Sequence, residues 1–217
     1  TSAMGSEYFA ANPTLPLAAI DVMICMDLVG HALGPEGVSP EVSGSLFALG
    51  AERCHEVERA VEDLSRAEPG LIVRRVDAET IPVLSDYWGF WTRGVPFLFL
   101  TGGRGATYHS PDHVPERLDR DRIGRIANWV ERCVRRVAAS TSGAFEFDGH
   151  RRDDRSTLRS VRDLAQALVP LRAEAASAVE LASHLITACD AGGRLPDAHR
   201  PELLWLVSQT EAALAEA

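Results

Sequence analysis

Short apolar runs and longer amphipathic segments alternate along the first two thirds of the chain. The two strongest runs, 17–26 and 95–100, have the length of buried strands and few polar residues. The segments between the runs repeat apolar side chains every three or four residues, as one face of a helix does. The predicted strands are 17–26, 46–49, 71–76 and 95–100, and the predicted helices are 5–11, 52–67, 85–91 and 119–138. This alternation predicts an α/β fold with helices on both faces of a mostly parallel sheet.

After residue 147 the pattern becomes wholly helical. Ser156 is a candidate N-cap for an amphipathic helix, which we expect Pro170 to break. An alanine-rich stretch then continues to about residue 186, and a last helix is predicted over 201–217. The pattern therefore predicts an α/β domain over residues 1–147 and a helical extension over 148–217.

Composition and charge exclude several classes of protein. The chain has 217 residues, of which 46% are hydrophobic and 24% charged, as in an ordinary globular protein. No window of 18 apolar residues is present, so we expect a soluble protein without a membrane span. The net charge of −9 disfavours nucleic acid as a partner, because binding to phosphates depends on positive charge. No signal peptide is visible at the start, and the compartment stays open.

The basic and sulfur-containing residues exclude further chemistry. All 22 basic residues are arginine. The absence of lysine excludes Schiff-base catalysis, pyridoxal-phosphate anchoring and a Walker-A phosphate loop, each of which needs a lysine. The four cysteines lie far apart without a Cys-x-x-Cys spacing, so a zinc ribbon or redox pair is not expected. We predict that they are small buried apolar residues; they are Cys25, Cys54, Cys133 and Cys189.

Polar residues that follow the apolar strands are the first candidates for chemistry, because ligands of α/β sheets gather at the carboxyl ends of strands. Asp27 ends the first predicted strand, where it is either a metal ligand or a cap for the next loop. His109 follows the last predicted strand after a glycine-rich loop, and taken alone it is a metal ligand or an exposed loop residue. His113 is not expected to act with His109 on one helix face, because Pro111 separates them.

Four segments taken together resemble the co-catalytic di-zinc aminopeptidases, number twenty-eight among the families of metallopeptidases. Residues 5–9, Gly-Ser-Glu-Tyr-Phe, are similar to a Gly-Ser helix start, and Asp27 in Met-Asp-Leu-Val-Gly is similar to an Asp-Met-(Val/Ile)-Gly strand end. Residues 85–90, followed by Gly-Val-Pro at 94–96, resemble the Ser-Asp-His-x-x-Phe signature. Residues 108–112 resemble Tyr-His-(Thr/Ser)-x-x-Asp. The set of four is specific, although each segment alone is weak.

The resemblance implies roles for individual residues. Asp27 and His109 would be zinc ligands, one on each of two metals, and Tyr108 would donate a hydrogen bond to the oxyanion of the tetrahedral intermediate. Asp86, like Ser85, would either support these groups from behind or cap its short helix. The implied fold is a three-layer α/β/α sheet of zinc-peptidase type, incomplete at its N-terminus, with a C-terminal helical appendix.

The chain also departs from that family. Its upstream histidine, bridging aspartate and paired glutamates have no counterpart, because alignment on Gly5 places the glutamates just before Thr1. Tyr87 stands where the signature has histidine. A catalytic zinc usually has three protein ligands, so the two zincs of a complete site would find an incomplete ligand set here. This pattern predicts the C-terminal portion of a longer enzyme, or a remnant that kept the fold and lost the reaction.

Three functions follow from the resemblance. The first is a zinc-dependent exopeptidase of aminopeptidase type, whose substrate is a peptide with a free N-terminus. The second is an inactive peptidase-like scaffold for interaction, with a homo-oligomer formed through the C-terminal helices. The third, a glutaminyl-cyclase-like acyl transferase with one zinc, fits the motifs least well.

Overall fold

A computed structural model describes residues 3–35, 37–83, 85–140 and 145–215. Its four strands are β1 (Met23–Asp27), β2 (Ser45–Leu49), β3 (Ile72–Val76) and β4 (Phe97–Thr101). They form one sheet in the order β1-β4-β2-β3. The pairs β1–β4 and β2–β3 are parallel, whereas β2 and β4 are antiparallel. The predicted α/β class with a mostly parallel sheet is therefore confirmed.

The helices follow the amphipathic segments closely. They are α1 (Met4–Ala11), α2 (Pro40–Ser43), α3 (His55–Asp63), α4 (Trp88–Trp91), α5 (Arg120–Ala138), α6 (Asp154–Leu168), α7 (Ala175–Ala188) and α8 (Arg200–Ala215). The strand predicted over 17–26 is shorter in the structure, because Pro16 begins a 3₁₀ turn over Leu17–Ala19. Pairing begins at Met23, whose N–H donates to the carbonyl of Pro96 at 2.8 Å.

Alternate residues of the strands pack against two different layers, as the pleat of a sheet requires. One face places Leu46, Ala48, Leu98 and Leu100 against α3 and α5, where Trp129 is fully buried. Its indole N–H donates to the carbonyl of Leu64 at 2.7 Å and so has a partner within the core. The opposite face carries the other side chains of the same strands: Cys25, Leu49, Val76, Phe97 and Phe99.

The C-terminal helices pack on this second face. Helix α6 contacts β3, and it also packs against α7 and α8. Leu164 and Leu214 share one buried cluster with Leu33 and Val42 of the α/β part. The helices also have a core of their own between α6, α7 and α8. The domain boundary predicted after residue 147 stays a prediction. Buried side chains from both sides of it pack in one cluster.

Buried charged groups also join the two parts. The guanidinium of Arg200, at the start of α8, donates to carboxylate oxygens of Asp77 and Asp154, and both carboxylates are fully buried. A buried carboxylate needs such partners, because its loss of hydration is otherwise costly. The cap of α6 differs from the prediction: Asp153, not Ser156, is the N-cap, and its side chain accepts from the N–H of Ser156 at 3.0 Å. An aspartate immediately outside the helix has the geometry that this bond needs.

The four cysteines are free thiols. Cys25, Cys54 and Cys133 are buried as predicted, whereas Cys189 is only half-buried. Burial raises the pKa of Cys133 to about 11, which keeps the thiol neutral. Within the described residues, no helix is both long enough and apolar enough to cross a membrane.

Candidate functional site

The carboxyl ends of β1 and β4 place Asp27 beside the chain that leaves the sheet. Asp27 is the last residue of β1 and pairs in register with Thr101, the last residue of β4. The pairing extends one step further, since the N–H of Gly102 donates to the carbonyl of Leu28 at 3.2 Å. A Cβ atom at position 102 would lie 2.5 Å from that carbonyl oxygen, so only glycine fits without displacing Leu28.

The loop after β4 carries Tyr108 and His109 in a compact turn. The hydroxyl of Ser110 donates to the carbonyl of Thr107 at 2.8 Å and closes the turn around the two residues. The rings of Tyr108 and His109 stack with centroids 3.8 Å apart and planes inclined by 20°. The two rings therefore lie against each other, and the chemical roles of Tyr108 and His109 are predictions.

Backbone strain is concentrated at these two strand ends. Among the described residues other than glycine, only Leu28 and His109 have a positive φ, at 55° and 56°. Left-handed backbone is unfavourable for a leucine, and such conformations persist where the surrounding structure enforces them, often at functional sites. One strained residue directly follows Asp27, and the other is the candidate ligand itself.

A cavity lies beside this edge, between the sheet and the C-terminal helices. The space between its lining side chains is about 900 Å³ when the part that is open to solvent is included. Asp27 and Tyr108 both line it, which places a candidate ligand and the candidate oxyanion donor at one cavity. The sheet contributes Phe47, Leu49, Val76 and Phe99, and the helices contribute Thr157, Ser160, Val161, Leu164, Val207, Thr210, Glu211 and Leu214.

Asp27 and His109 offer donor groups that suit zinc, but they do not form a complete site. Asp27 and His109 are exposed, and neither side chain makes a hydrogen bond or ion pair within the described part of the chain. Carboxylate and imidazole groups are ordinary zinc ligands, so the donor chemistry of each residue is suitable. However, the described residues contain no cluster of three or more His, Cys, Asp or Glu side chains that could hold a metal. A complete zinc centre does not fit these residues alone.

Asp86 joins two helices, and its supporting role stays a prediction. Its carboxylate accepts a hydrogen bond from the Ser6 hydroxyl at 2.8 Å, which joins α1 to the start of α4. The N-cap of α4 is Tyr87, without a side-chain capping bond, so the predicted cap at Asp86 or Ser85 is wrong. The hydroxyl of Ser85 instead lies 3.3 Å from the thiol of Cys25.

Tyr87, which stands where the resembled signature has histidine, is a core residue. Its ring is fully buried and stacks on Trp91, Phe97 and Phe99 at centroid distances of 5.0–6.1 Å. This packing explains why an aromatic residue occupies the position.

The sequence did not indicate Arg104, Glu211 and His31 as residues near the site. Arg104 donates to the carboxylate of Glu211 on α8 at 2.7 Å and so fastens the loop of Tyr108 to a helix 107 positions away. His31 has a buried Nε2 without a partner among the described residues, and burial together with Arg122 lowers its pKa. No local sequence pattern indicates a long-range pair such as Arg104–Glu211. His31 lies in the loop that follows Asp27.

Comparison with known proteins identifies the family. No curated protein and no solved structure matches the chain. The model of Peptidase family M28 matches residues 1–134, which contain the four strands, Asp27, Asp86, Tyr108 and His109. The match ends within α5, so that α6, α7 and α8 lie outside it. Because this match spans more than half of the 217 residues, the chain belongs to Peptidase family M28, a family of metallopeptidases.

Proposed function

We propose that the chain carries part of the active site of a zinc-dependent exopeptidase of aminopeptidase type. The observation that supports this most strongly is the shared cavity of Asp27 and Tyr108, with His109 stacked on the tyrosine. The family match supports hydrolysis by a metallopeptidase, and the aminopeptidase reaction is our proposal.

Each residue has a distinct task in this proposal. Asp27 and His109 would each provide one ligand, on two different zinc ions, and their exposed, unpaired side chains leave them free to do so. When bound, zinc lowers the pKa of a water molecule and polarises a carbonyl group. The hydroxyl of Tyr108 would donate a hydrogen bond to the carbonyl oxygen of the peptide as negative charge develops on it.

The loop geometry supports this division of tasks. A ligand must be held in place before the metal arrives, because an unrestrained side chain loses entropy on binding. The stacking on Tyr108, the closed turn at Ser110 and the Arg104–Glu211 pair all restrain the segment that bears His109. Asp27 is restrained by its register with Thr101.

Replacement of His109 by alanine tests the proposal. In an enzyme with the complete ligand set, metal content by mass spectrometry and release of the N-terminal residue from a peptide should both fall strongly in His109→Ala. His184→Ala is the control, because this histidine is exposed on α7 and does not line the cavity. Unchanged zinc content and turnover in His109→Ala would refute the assignment, and so would an equal loss in His184→Ala.

A second candidate is an interaction module that uses the C-terminal helices. Leu204 and Trp205 are adjacent on α8 and are 38% and 54% exposed, so they form a small apolar patch on this helix. A homo-oligomer would bury them. Sedimentation velocity of the wild type and Trp205→Asp tests this: a dimer that becomes a monomer supports the module, and an unchanged monomer refutes it.

A further inference from the structure

The loop that carries the candidate site, residues 102–110, rests on the segment that follows β1. At the start of the loop, the N–H of Gly102 donates to the carbonyl of Leu28 at 3.2 Å. Gly105 lies so close to the ring of His31 that a Cβ at position 105 would be 3.0 Å from the ring carbon Cδ2 and 3.2 Å from Nε2. The imidazole of His31 is therefore part of the surface that supports this loop.

The supported part of the loop leads directly to the candidate site. The carbonyl of Gly105 accepts from the N–H of Tyr108 at 3.0 Å, so the backbone that lies against His31 also fixes the start of the turn. The ring of Tyr108 in turn stacks on that of His109. A displacement of Gly105 is therefore transmitted to both side chains.

The segment under the loop is held from its other side by α5. The N–H of Asp119, the N-cap of this helix, donates to the carbonyl of Gly30 at 2.8 Å. A Cβ at position 30 would meet the side chain of Leu118 at 2.6 Å, so the segment lies directly against the start of the helix. The residues around His31 therefore have a fixed place between α5 and the 102–110 loop.

The surroundings of His31 favour a neutral ring. Burial of the ring is the main reason why the pKa of His31 lies below its ordinary value of 6.5, and the positive charge of Arg122 on α5 is the next. His113, beyond the turn, acts in the same direction, whereas a hydrogen bond with the backbone of Gly103 opposes the shift of the pKa. Arg122 is itself buried, and its guanidinium donates to two backbone carbonyls near the start of β2.

The other charged groups near His31 have partners of their own. The carboxylate of Asp119 accepts from the N–H of Arg122 at 2.8 Å and lies 3.8 Å from the guanidinium of Arg125. Arg104, within the loop, is paired with α8. The Nε2 atom of His31 is buried and has no partner among the described residues. A proton added at this atom would therefore lack an acceptor in the described part of the chain and would lie near the positive charge of Arg122.

We propose that His31 is a positioning residue for the 102–110 loop: its neutral ring supports the loop that carries Tyr108 and His109, and protonation of the ring releases the loop. In the released form the ring is hydrated, and its pKa returns toward 6.5. Above that pH the ring is neutral in both forms and the supporting contact is complete. As the pH falls below 6.5, the released form gains a proton that the closed form resists, so the closed form becomes less favourable. The importance of this loop for hydrolysis rests on the proposed function, but the contact between His31 and Gly105 does not.

Solvent exchange of backbone amides tests the proposal, measured by NMR on the full chain with neither metal nor peptide added. The N–H groups of Tyr108 and Ser110 are the probes, because each donates to a carbonyl within the loop. Their protection, corrected for the intrinsic pH dependence of exchange, is compared at about pH 8 and about pH 5. It should fall several-fold and by about thirtyfold at most, since pH 5 lies about 1.5 units below the ordinary pKa of 6.5 and each unit corresponds to a factor of ten.

Substitutions at position 31 separate support of the loop from protonation. His31→Phe keeps a planar ring beneath the loop but cannot take up a proton, so the protection of the two amides should stay high at both pH values. His31→Ala removes the ring, and the protection should be low at both pH values. If His31→Phe does not fold, as judged by circular dichroism, His31→Gln decides. Glutamine also stays neutral, so in this variant the protection should not change with pH.

Three other histidines provide the controls. His109→Gln and His113→Gln should keep the fall in protection that the wild type shows, and so should His184→Gln at an exposed position of α7. A wild-type protection that does not change with pH would overturn the proposal. So would a fall that persists in His31→Phe and His31→Gln, or one that disappears in His109→Gln or His113→Gln.

The exchange measurement also separates the positioning role from the reaction. The expected effect of His31 in a protein that never hydrolyses peptides would leave the inference intact and remove the proposed function. Hydrolysis by a protein whose loop does not respond to His31 would do the reverse.

Discussion

Arg104 and Glu211 form an ion pair with a nitrogen–oxygen distance of 2.7 Å, although 107 residues separate them in the chain. Arg104 belongs to the loop that carries Tyr108 and His109, and Glu211 belongs to α8. The hydrogen bond from Arg104 to Glu211 is also the main reason why the pKa of Arg104 is raised. The pair therefore connects the candidate catalytic loop to the helices outside the family match.

Removal of this pair should loosen the loop more than it destabilises the protein. Both side chains are partly exposed, and exposed pairs contribute only about 0.2–1 kcal/mol to the free energy of unfolding. A double-mutant cycle with Arg104→Met and Glu211→Gln, measured by urea denaturation, should give a coupling energy in that range. Hydrogen exchange of the amides at 105–110 should accelerate in either single variant. The Arg135–Glu131 pair on α5 is a control, since Arg135→Met should leave those amides unchanged.

In an enzyme with the complete ligand set, Tyr108→Phe should lower kcat and leave the zinc content unchanged. The change removes one hydroxyl group and keeps the ring that stacks on His109. Loss of one donor to an oxyanion costs roughly a hundredfold to a thousandfold in kcat. Steady-state hydrolysis and zinc content are measured on the same samples, with Tyr8→Phe as the control at an exposed tyrosine. A kcat within a factor of two of the wild type would contradict the assigned role.

Gly102→Ala should destabilise the fold and displace the end of β1. The added Cβ would meet the carbonyl oxygen of Leu28 at 2.5 Å, and backbone at that position can move only if the pairing beside Asp27 opens. We expect a loss of about 1–3 kcal/mol in the free energy of unfolding, as is usual for a steric conflict with backbone.

Gly124→Ala is the matched control for this substitution. Gly124 lies inside α5 with no atom within 4 Å of an added Cβ. Alanine should therefore stabilise the protein by about 1 kcal/mol, through its higher helix propensity. Chemical denaturation measures the change in the free energy of unfolding of both variants. Changes of the same sign in Gly102→Ala and Gly124→Ala would contradict the steric explanation.

Glu52 should make the protein less stable as the pH rises. Its carboxyl group is buried, and burial together with the neighbouring Asp77 raises its pKa to about 8, from an ordinary value of 4.5. Between pH 4.5 and about pH 8, Glu52 is therefore protonated in the folded state and ionised in the unfolded state. The stability that this group contributes is complete below about pH 4.5 and is lost as the pH rises through about 8.

Glu52→Gln should reduce this pH dependence. Glutamine keeps an oxygen that can accept from the N–H of Ala78 and from Arg53, but it never ionises. Thermal denaturation at about pH 5 and about pH 9 should show a smaller fall in Tm for the variant than for the wild type. Asp77, Arg53 and Glu79 face the same cluster and are unchanged in this comparison. Glu62→Gln, at an exposed position, is the control, and its Tm should fall between these pH values as much as that of the wild type.

The local elements could be predicted because each depends on neighbours in the chain. Residues 119–138 repeat apolar side chains at helical spacing and begin at Asp119, which caps α5 by accepting from the N–H of Arg122. The strand predicted over 17–26 was too long, since an apolar stretch does not reveal the 3₁₀ turn at its start. The cap predicted at Ser156 lies at Asp153 in the structure. A contact distant in the sequence contributes to this, because the N–H of Asp153 donates to the carboxylate of Asp77.

By itself, the sequence determined the α/β class and the family motifs, because apolar spacing and short motifs are local properties. It also predicts Asp27 and His109 as ligands. The tertiary structure alone decided that Tyr87 is buried, that Asp86 pairs with Ser6, and that α6 and α8 close a cavity beside Asp27 and Tyr108. These contacts join residues far apart in the chain. Their formation depends on how amphipathic helices cover the second face of one sheet, where burial of apolar surface selects a single arrangement.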